Sequence, residues 1–157
     1  MLDLFDELRQ LVSLLNHHDV EYALCGGLAM SIHARPRSTI DIDLMVLPES
    51  LDQVISIAGS LGYNIRGKDL SFANGVIEIR RVSKIDRTDG ELLSLDLLLV
   101  TSEIRVVWDN RVQADWEGGT LSVVSRKGLI ALKELRRSGQ DLDDIKALSE
   151  GGSDDES

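Results

Sequence analysis

Apolar residues recur at helical spacing near the start of the chain, at Leu4, Phe5, Leu8, Leu11, Val12 and Leu15. This spacing lines one side of a helix, and it predicts an amphipathic helix over residues 2–17. Such a helix buries its apolar side only against another element. We therefore expect it to lie across one face of a sheet.

Shorter apolar runs follow, and they predict strands that alternate with helices. Residues 22–25 and 40–47 are the first two predicted strands. Residues 28–33 between them are predicted to form a short helix that Pro36 ends. A further helix is expected over residues 50–61, where Gly62 follows as a helix terminator.

Alternating apolar and polar residues over 76–82 and an aliphatic run over 92–100 begin the second half of the chain. The turn residues Thr88, Asp89 and Gly90 lie between these segments, so the pattern predicts a β-hairpin. A helix and a loop are expected over residues 103–118.

The remaining residues predict one more strand, over 121–124, and two helices. Ser125 can cap the first helix, which reaches about residue 137, and the second helix covers residues 142–148. Together the elements predict an α+β fold with a mixed α/β sheet of about four to six strands, flanking helices and a C-terminal helical pair.

Length and charge limit the classes of function. The 157 residues predict one domain over 1–149 and an acidic disordered tail over 150–157. The net charge of −10 argues against broad binding to a nucleic-acid backbone. The single cysteine, Cys25, excludes an internal disulfide. One cysteine and three histidines also leave no plausible zinc site. An acidic N-terminus and the lack of a long apolar run predict a cytoplasmic protein without a membrane partner.

Two aspartates in the second predicted strand are the main candidates for chemistry. Asp41 and Asp43 are two residues apart in an extended segment, so their side chains share one face while aliphatic neighbours pack behind them. Two adjacent carboxylates repel each other unless a cation lies between them. Mg²⁺ prefers carboxylate, water and phosphate oxygens, so the pair predicts a magnesium site.

Asp96 is a lone carboxylate in the aliphatic run over 92–100. A buried carboxylate without a partner would cost several kcal/mol, so either a partner side chain or a metal ion is expected. Six basic residues either form a patch around an anionic substrate or are scattered, solvated charges. They are Arg35, Arg37, Arg66, Lys68, Arg80 and Arg81.

These motifs together resemble the nucleotidyltransferase superfamily, which has the polymerase-β-like fold. The resemblance rests on Gly26-Gly27, on the segment from Arg37 through Thr39 to Asp41 and Asp43, and on Asp96. Within the superfamily the chain looks most like the minimal AbiEii toxin-type branch. Lys133, followed eight residues on by Asp141 and then by Asp144, is similar to the C-terminal pattern of that branch.

The resemblance implies a site and its ligands. Asp41, Asp43 and Asp96 would be the catalytic and metal-binding residues, with Mg²⁺ or alternatively Mn²⁺ as the ion. The nucleotide-binding residues would be Gly26, Gly27, Arg37, Thr39 and Lys133. Arg37 could equally form a structural salt bridge, and strand packing is the alternative for Thr39. Asp96 could bind a second metal ion or act as the base on the attacking hydroxyl.

The implied function is metal-dependent transfer of a nucleoside monophosphate from an NTP to an acceptor hydroxyl. The acceptor could be an RNA end, a protein or a small molecule, and the chain could be a toxin with a cognate antitoxin protein as its partner. The alternative is a catalytically silent nucleotide-binding or partner-binding module, similar to an antitoxin. The presence of all three carboxylates favours the enzyme.

Overall fold

One mixed eight-stranded sheet organises the part of the chain that the structure describes. The structure is a computed structural model, and it describes residues 3–33, 41–136 and 148–149. The strands are Ala23–Cys25 (β1), Asp41–Val46 (β2), Ile65–Arg66 (β3), Leu70–Phe72 (β4), Ile77–Ile85 (β5), Leu92–Leu99 (β6), Val112–Trp116 (β7) and Gly119–Val123 (β8). The helices are Leu4–His17 (α1), Gly26–His33 (α2), Leu51–Ser60 (α3), Arg105–Asp109 (α4) and Arg126–Arg136 (α5).

The order of the strands brings the two predicted carboxylate strands side by side. The sheet runs β3-β5-β6-β2-β1-β8-β7, and β4 pairs with β5. Strand β2 is parallel to β6 and antiparallel to β1. Strand β1 is also parallel to β8. The central strands β2, β1 and β6 are therefore covered by neighbours on both edges, which suits their nearly continuous aliphatic sequences.

Helix α1 forms as its apolar spacing predicts. The side chain of Asp3 caps it by accepting hydrogen bonds from the backbone N–H groups of Phe5 and Asp6. Leu8, Leu11 and Leu15 are almost completely buried, at 0–1% exposure. The predicted α+β class with a mixed sheet is confirmed.

The sheet of the described residues has eight strands where about four to six are expected, because three of the strands have weak sequence signals. Strands β3 and β4 have only two and three residues and are largely exposed. The segment 103–118 contains a strand, β7, where a loop was expected, and only its first part is helical. In the C-terminal helical pair, α5 is confirmed. Most of the second predicted helix and the predicted tail over 150–157 lie outside the described residues.

A buried polar cluster fixes α1 to the sheet and to the segment after α3. The Tyr63 hydroxyl donates to Glu7 Oε1 at 2.9 Å, and Lys84 forms an ion pair with the same carboxylate. Lys84 Nζ also donates to the Leu61 carbonyl at 3.1 Å and lies 4.9 Å from the centre of the Tyr63 ring. Burial, and then the hydrogen bond to Glu7, raise the pKa of the Tyr63 hydroxyl.

We expect Lys84→Met to lower the free energy of unfolding by about 3 kcal/mol, because Glu7 would remain charged and buried without its cation. Urea denaturation at pH 7 measures this loss. The double variant Glu7→Gln, Lys84→Met should recover much of it, since no uncompensated charge then remains. Equal stability of Lys84→Met and the wild type would show that the ion pair contributes nothing.

Within the described residues, no helix is long and apolar enough to cross a membrane.

Candidate active site

Three carboxylates meet on neighbouring strands at the centre of the sheet. Asp41 and Asp43 occupy alternate positions of β2, and both are partly buried, whereas Ile42 between them is fully buried. In the parallel pairing of β2 with β6, Asp43 lies directly opposite Asp96. Paired positions on adjacent strands are about 4.8 Å apart and point to the same face. The fold therefore places all three predicted catalytic residues on one face.

Gly26 allows the Asp43 carboxylate to lie against the start of α2. A Cβ atom at Gly26 would be 2.1 Å from Asp43 Oδ2, which is an impossible contact. Gly26 also has a φ of +68°, in the left-handed region that favours glycine. Helix α2 begins at Gly26 itself, earlier than the predicted residue 28. A carboxylate at this helix end is favoured, because the helix dipole is positive there.

Arg81 holds Asp96 in a bidentate ion pair. Arg81 lies opposite Asp96 in the antiparallel pairing of β5 with β6. Its Nε donates to Asp96 Oδ1 at 2.6 Å, and its Nη2 donates to Oδ2 at 2.9 Å. The hydrogen bond to Asp96 raises the pKa of Arg81, and the charges of Asp96, Asp41 and Asp43 add to this rise. Arg81 is thus the counterion of Asp96, and its charge also acts on Asp41 and Asp43.

Sequence reasoning expected a partner for Asp96 but did not identify it. Arg81 appeared only as one of six basic residues that form a patch or are scattered. The hairpin register was the missing information, because it decides which side chain of β5 faces Asp96. Arg80, its neighbour, pairs instead with Glu78 and Asp69.

The carboxylate cluster disfavours ionisation of Asp41. Burial is the main cause that raises the pKa of Asp41, and the negative charge of Asp96 raises it further, while Arg81 acts in the opposite direction. Because the folded chain holds this proton more tightly than the unfolded chain, ionised Asp41 reduces stability as the pH rises above the ordinary carboxyl range.

We therefore expect Asp41→Asn to be more stable than the wild type at pH 7 in the presence of EDTA. The difference should shrink toward zero below about pH 4, where the wild-type carboxyl group is protonated. Urea denaturation of both proteins across this pH range tests the expectation. A wild-type protein that is the more stable of the two at neutral pH would show that attraction to Arg81 outweighs burial and repulsion.

A small pocket joins two of the carboxylates to α5. Gly26, Asp43, Asp96, Cys25 and the buried Lys133 line it. The rest of its wall is apolar and consists of Ile77, Ile79, Leu98, Leu129 and Leu132. The enclosed space of about 50 Å³ suits water or an ion, whereas a nucleotide would have to lie across the mouth.

Helix α5 carries Lys133 into this pocket. The Ser125 hydroxyl caps the helix by accepting from the Gly128 backbone N–H at 3.0 Å, as the sequence predicts. Lys133 is 5% exposed. Of the predicted nucleotide-binding residues, Gly26 and Lys133 line the pocket, and Gly27 is buried in the first turn of α2. Arg37 and Thr39 lie outside the described residues.

The donor chemistry of the site fits a hard divalent cation. The carboxylates of Asp41 and Asp43 share a face, and carboxylate oxygens are the ligands that Mg²⁺ and Mn²⁺ prefer. Among residues 3–33, 41–136 and 148–149, no three His, Cys, Asp or Glu side chains are arranged to share one ion. Asp96 instead directs both oxygens to Arg81. Asp41 and Asp43 could hold such an ion.

Solved structures identify the fold, although no protein-family model and no curated protein matches the chain. The chain is similar to the lincosamide antibiotic adenylyltransferase LnuA, with a TM-score of 0.61 and 18% identity over 94% of this chain and 97% of that one. It is also similar to the antibiotic-resistance factor ANT(2'')-Ia, with a TM-score of 0.63 and 15% identity over 91% and 80% of the two chains. A third similar structure is that of a candidate nucleotidyltransferase of Thermotoga maritima, TM1012. Its TM-score is 0.60, and the identity is 17% over 93% of this chain and 92% of that one. The chain therefore has the nucleotidyltransferase fold, which its sequence motifs predict.

Proposed function

We propose that the protein is a metal-dependent nucleotidyltransferase that moves a nucleoside monophosphate from an NTP to an acceptor hydroxyl. One observation carries the proposal. Asp41 and Asp43 share a face of β2, Asp96 lies in register beside them on β6, and Gly26 brings the start of α2 against Asp43. The similarity in fold to nucleotidyltransferases supports the same reaction class.

The chemistry exchanges one bond to phosphorus for another. The acceptor oxygen forms a bond to the α-phosphorus of the NTP, and the bond from that phosphorus to the pyrophosphate oxygen breaks. Asp96 would take the proton of the acceptor hydroxyl once Arg81 releases it. Lys133 supplies a buried positive charge beside the carboxylates, which would attract the phosphates.

Asp41 and Asp43 would hold Mg²⁺ or Mn²⁺, and the bound ion would supply positive charge that stabilises the negative charge on the phosphates. The first turn of α2, at Gly26 and Gly27, would contribute backbone N–H groups to the same oxygens. Arg37 and Thr39 stay predictions for nucleotide binding. In such a site the protein accelerates the reaction mainly by position and by electrostatics.

A hydroxyl-bearing small molecule is the class of acceptor that the charge of the chain favours over RNA. An RNA backbone needs many cationic contacts to its phosphates. The net charge of −10 disfavours a polyanionic acceptor. LnuA and ANT(2'')-Ia are named for antibiotics, which agrees with an acceptor of this class.

Incubation with Mg²⁺ and each α-labelled NTP tests the proposal. Three acceptor pools would be supplied separately: a panel of hydroxyl-bearing antibiotics and metabolites, total RNA, and cell lysate protein. We expect label on a small molecule with the wild type and none with added EDTA or with Asp41→Asn. Label on RNA or protein would retain the enzyme and overturn the acceptor. Nucleotide binding without transfer to any pool would favour the silent binding module.

The AbiEii-type resemblance supports a narrower role as a toxin restrained by a cognate antitoxin protein. Lys133, one element of that C-terminal pattern, lies in the pocket, while Asp141 and Asp144 lie outside the described residues. Induced expression in a bacterial host tests this role. Growth arrest by the wild type but not by Asp41→Asn would support it, and normal growth with the active wild type would exclude it.

A further inference from the structure

Arg81 donates hydrogen bonds to both oxygens of Asp96, which makes this carboxylate a weaker base and a weaker ligand for an ion. We propose that Arg81 is an internal counterion that holds Asp96 in the free protein and competes with the divalent ion for the carboxylate cluster. The inference rests on the proposed function, because it assumes that Asp41 and Asp43 bind the ion. It makes the release of Asp96 by Arg81 a step in assembling the active site.

The side chain of Arg81 packs closely against the backbone of Gly67. A Cβ atom at Gly67 would lie 3.1 Å from both Cβ and Cγ of Arg81 and 3.2 Å from its Cδ. The Gly67 N–H donates to the Arg81 carbonyl at 2.9 Å, and Arg66 Nη1 donates to the same carbonyl at 3.1 Å. The stem of Arg81 therefore lies closely along the chain at Gly67, and this contact directs the guanidinium toward Asp96.

The exposures of the two partners indicate which one moves. The side chain of Arg81 is 36% exposed and that of Asp96 only 10%. The guanidinium can therefore turn into water without unpacking the sheet, whereas Asp96 remains on β6 among buried aliphatic neighbours. Release costs the two charge-assisted hydrogen bonds, and a divalent cation restores the compensation of the carboxylates.

Competition follows from the position of Arg81, which lies opposite Asp96 in the pairing of β5 with β6, while Asp43 lies opposite Asp96 in the pairing of β2 with β6. A divalent ion bound by Asp41 and Asp43 would be repelled by the guanidinium even without a direct contact to Asp96. Removing the charge of Arg81 should therefore strengthen metal binding in the absence of nucleotide. A residue that merely positions Asp96 for the metal would have the opposite effect.

Titration of the nucleotide-free proteins with Mn²⁺ measures this competition, with the free-ion electron paramagnetic resonance signal as the readout. We expect Arg81→Gln to bind Mn²⁺ roughly tenfold more tightly than the wild type, because the substitution removes a positive charge that repels the ion. Arg80→Gln is the matched control. It removes the same charge from the adjacent position of β5, where the arginine pairs with Glu78 and Asp69, and it should leave binding unchanged.

Gly67→Ala provides a second, milder variant, since its methyl group would push the Arg81 stem away by a few tenths of an ångström while keeping the charge. We expect its affinity for Mn²⁺ to lie between those of the wild type and Arg81→Gln. If Arg81→Gln fails to fold, as judged by circular dichroism, Arg81→Met replaces it, because methionine keeps the apolar part of the side chain and removes the charge. Binding by the folded variants that equals or falls below the wild type would overturn the inference.

Asp43→Asn separates this inference from the proposed function. Loss of Mn²⁺ binding in Asp43→Asn, together with unchanged binding in Arg81→Gln, would overturn the role of Arg81 and leave the proposed metal site intact. Mn²⁺ binding that is equal in Asp43→Asn and the wild type would overturn the metal role of the carboxylates, and the inference about Arg81 with it.

Discussion

Asp43→Asn is expected to reduce nucleotidyl transfer by roughly a thousandfold or more while the protein keeps its fold. Asp43 is constrained on two sides, because it lies against Gly26 on one side and opposite Asp96 on the other. Asparagine has nearly the same shape, so it fits beside Gly26. It lacks the negative charge that a divalent cation requires.

The measurement is initial-rate transfer of label from an α-labelled NTP at saturating Mg²⁺, with thermal denaturation to verify folding. Asp52→Asn is the matched control, because Asp52 is an exposed carboxylate in the first turn of α3 and lines no part of the pocket. It should transfer at the wild-type rate. Full activity in folded Asp43→Asn would remove this carboxylate from the reaction.

Gly26→Ala is expected to cost about 2–5 kcal/mol of stability and to abolish transfer in whatever protein still folds. The left-handed backbone at Gly26 alone costs an alanine about 1–2 kcal/mol. The collision of its Cβ with Asp43 adds the cost of forcing the carboxylate or the start of α2 to move, about 1–3 kcal/mol in a packed region. Any such shift also misplaces a side chain that we propose as a ligand of the metal ion.

Gly90→Ala separates these two costs. Gly90 has a similar φ, +74°, but a Cβ atom there would meet nothing within 4 Å. Urea denaturation should therefore show a loss of about 1 kcal/mol for Gly90→Ala, with unchanged transfer. Equal losses for the two variants would mean that Asp43 yields without cost, and the close approach would then have no structural importance.

Much of the site could be predicted from short-range pattern. Alternation along a strand places Asp41 and Asp43 on one face, and the lone carboxylate in an aliphatic run marks Asp96 as a residue that needs a partner. Such arguments succeed because the side-chain period of a strand is set by backbone geometry. The helical spacing in α1 is equally local, and the structure confirms it.

The remaining features depend on contacts between distant segments. The register of β5 against β6 decides that Arg81, and not Arg80, faces Asp96. No two-residue turn motif sets this register, because residues 86–91 separate the two strands. The need for glycine at position 26 arises from Asp43, which is 17 positions along the chain. Strands β3 and β4 are too short to carry a periodic pattern of their own.

Cys25 gives this site a built-in chemical reporter. It is the single cysteine of the chain, it is 4% exposed, and it lines the pocket with Asp43 and Lys133. A thiol reagent can therefore modify the protein at one position only, and only when this thiol becomes exposed. The rate of modification records how often the thiol becomes accessible, and it can be followed in the unaltered protein as ions and nucleotides are added.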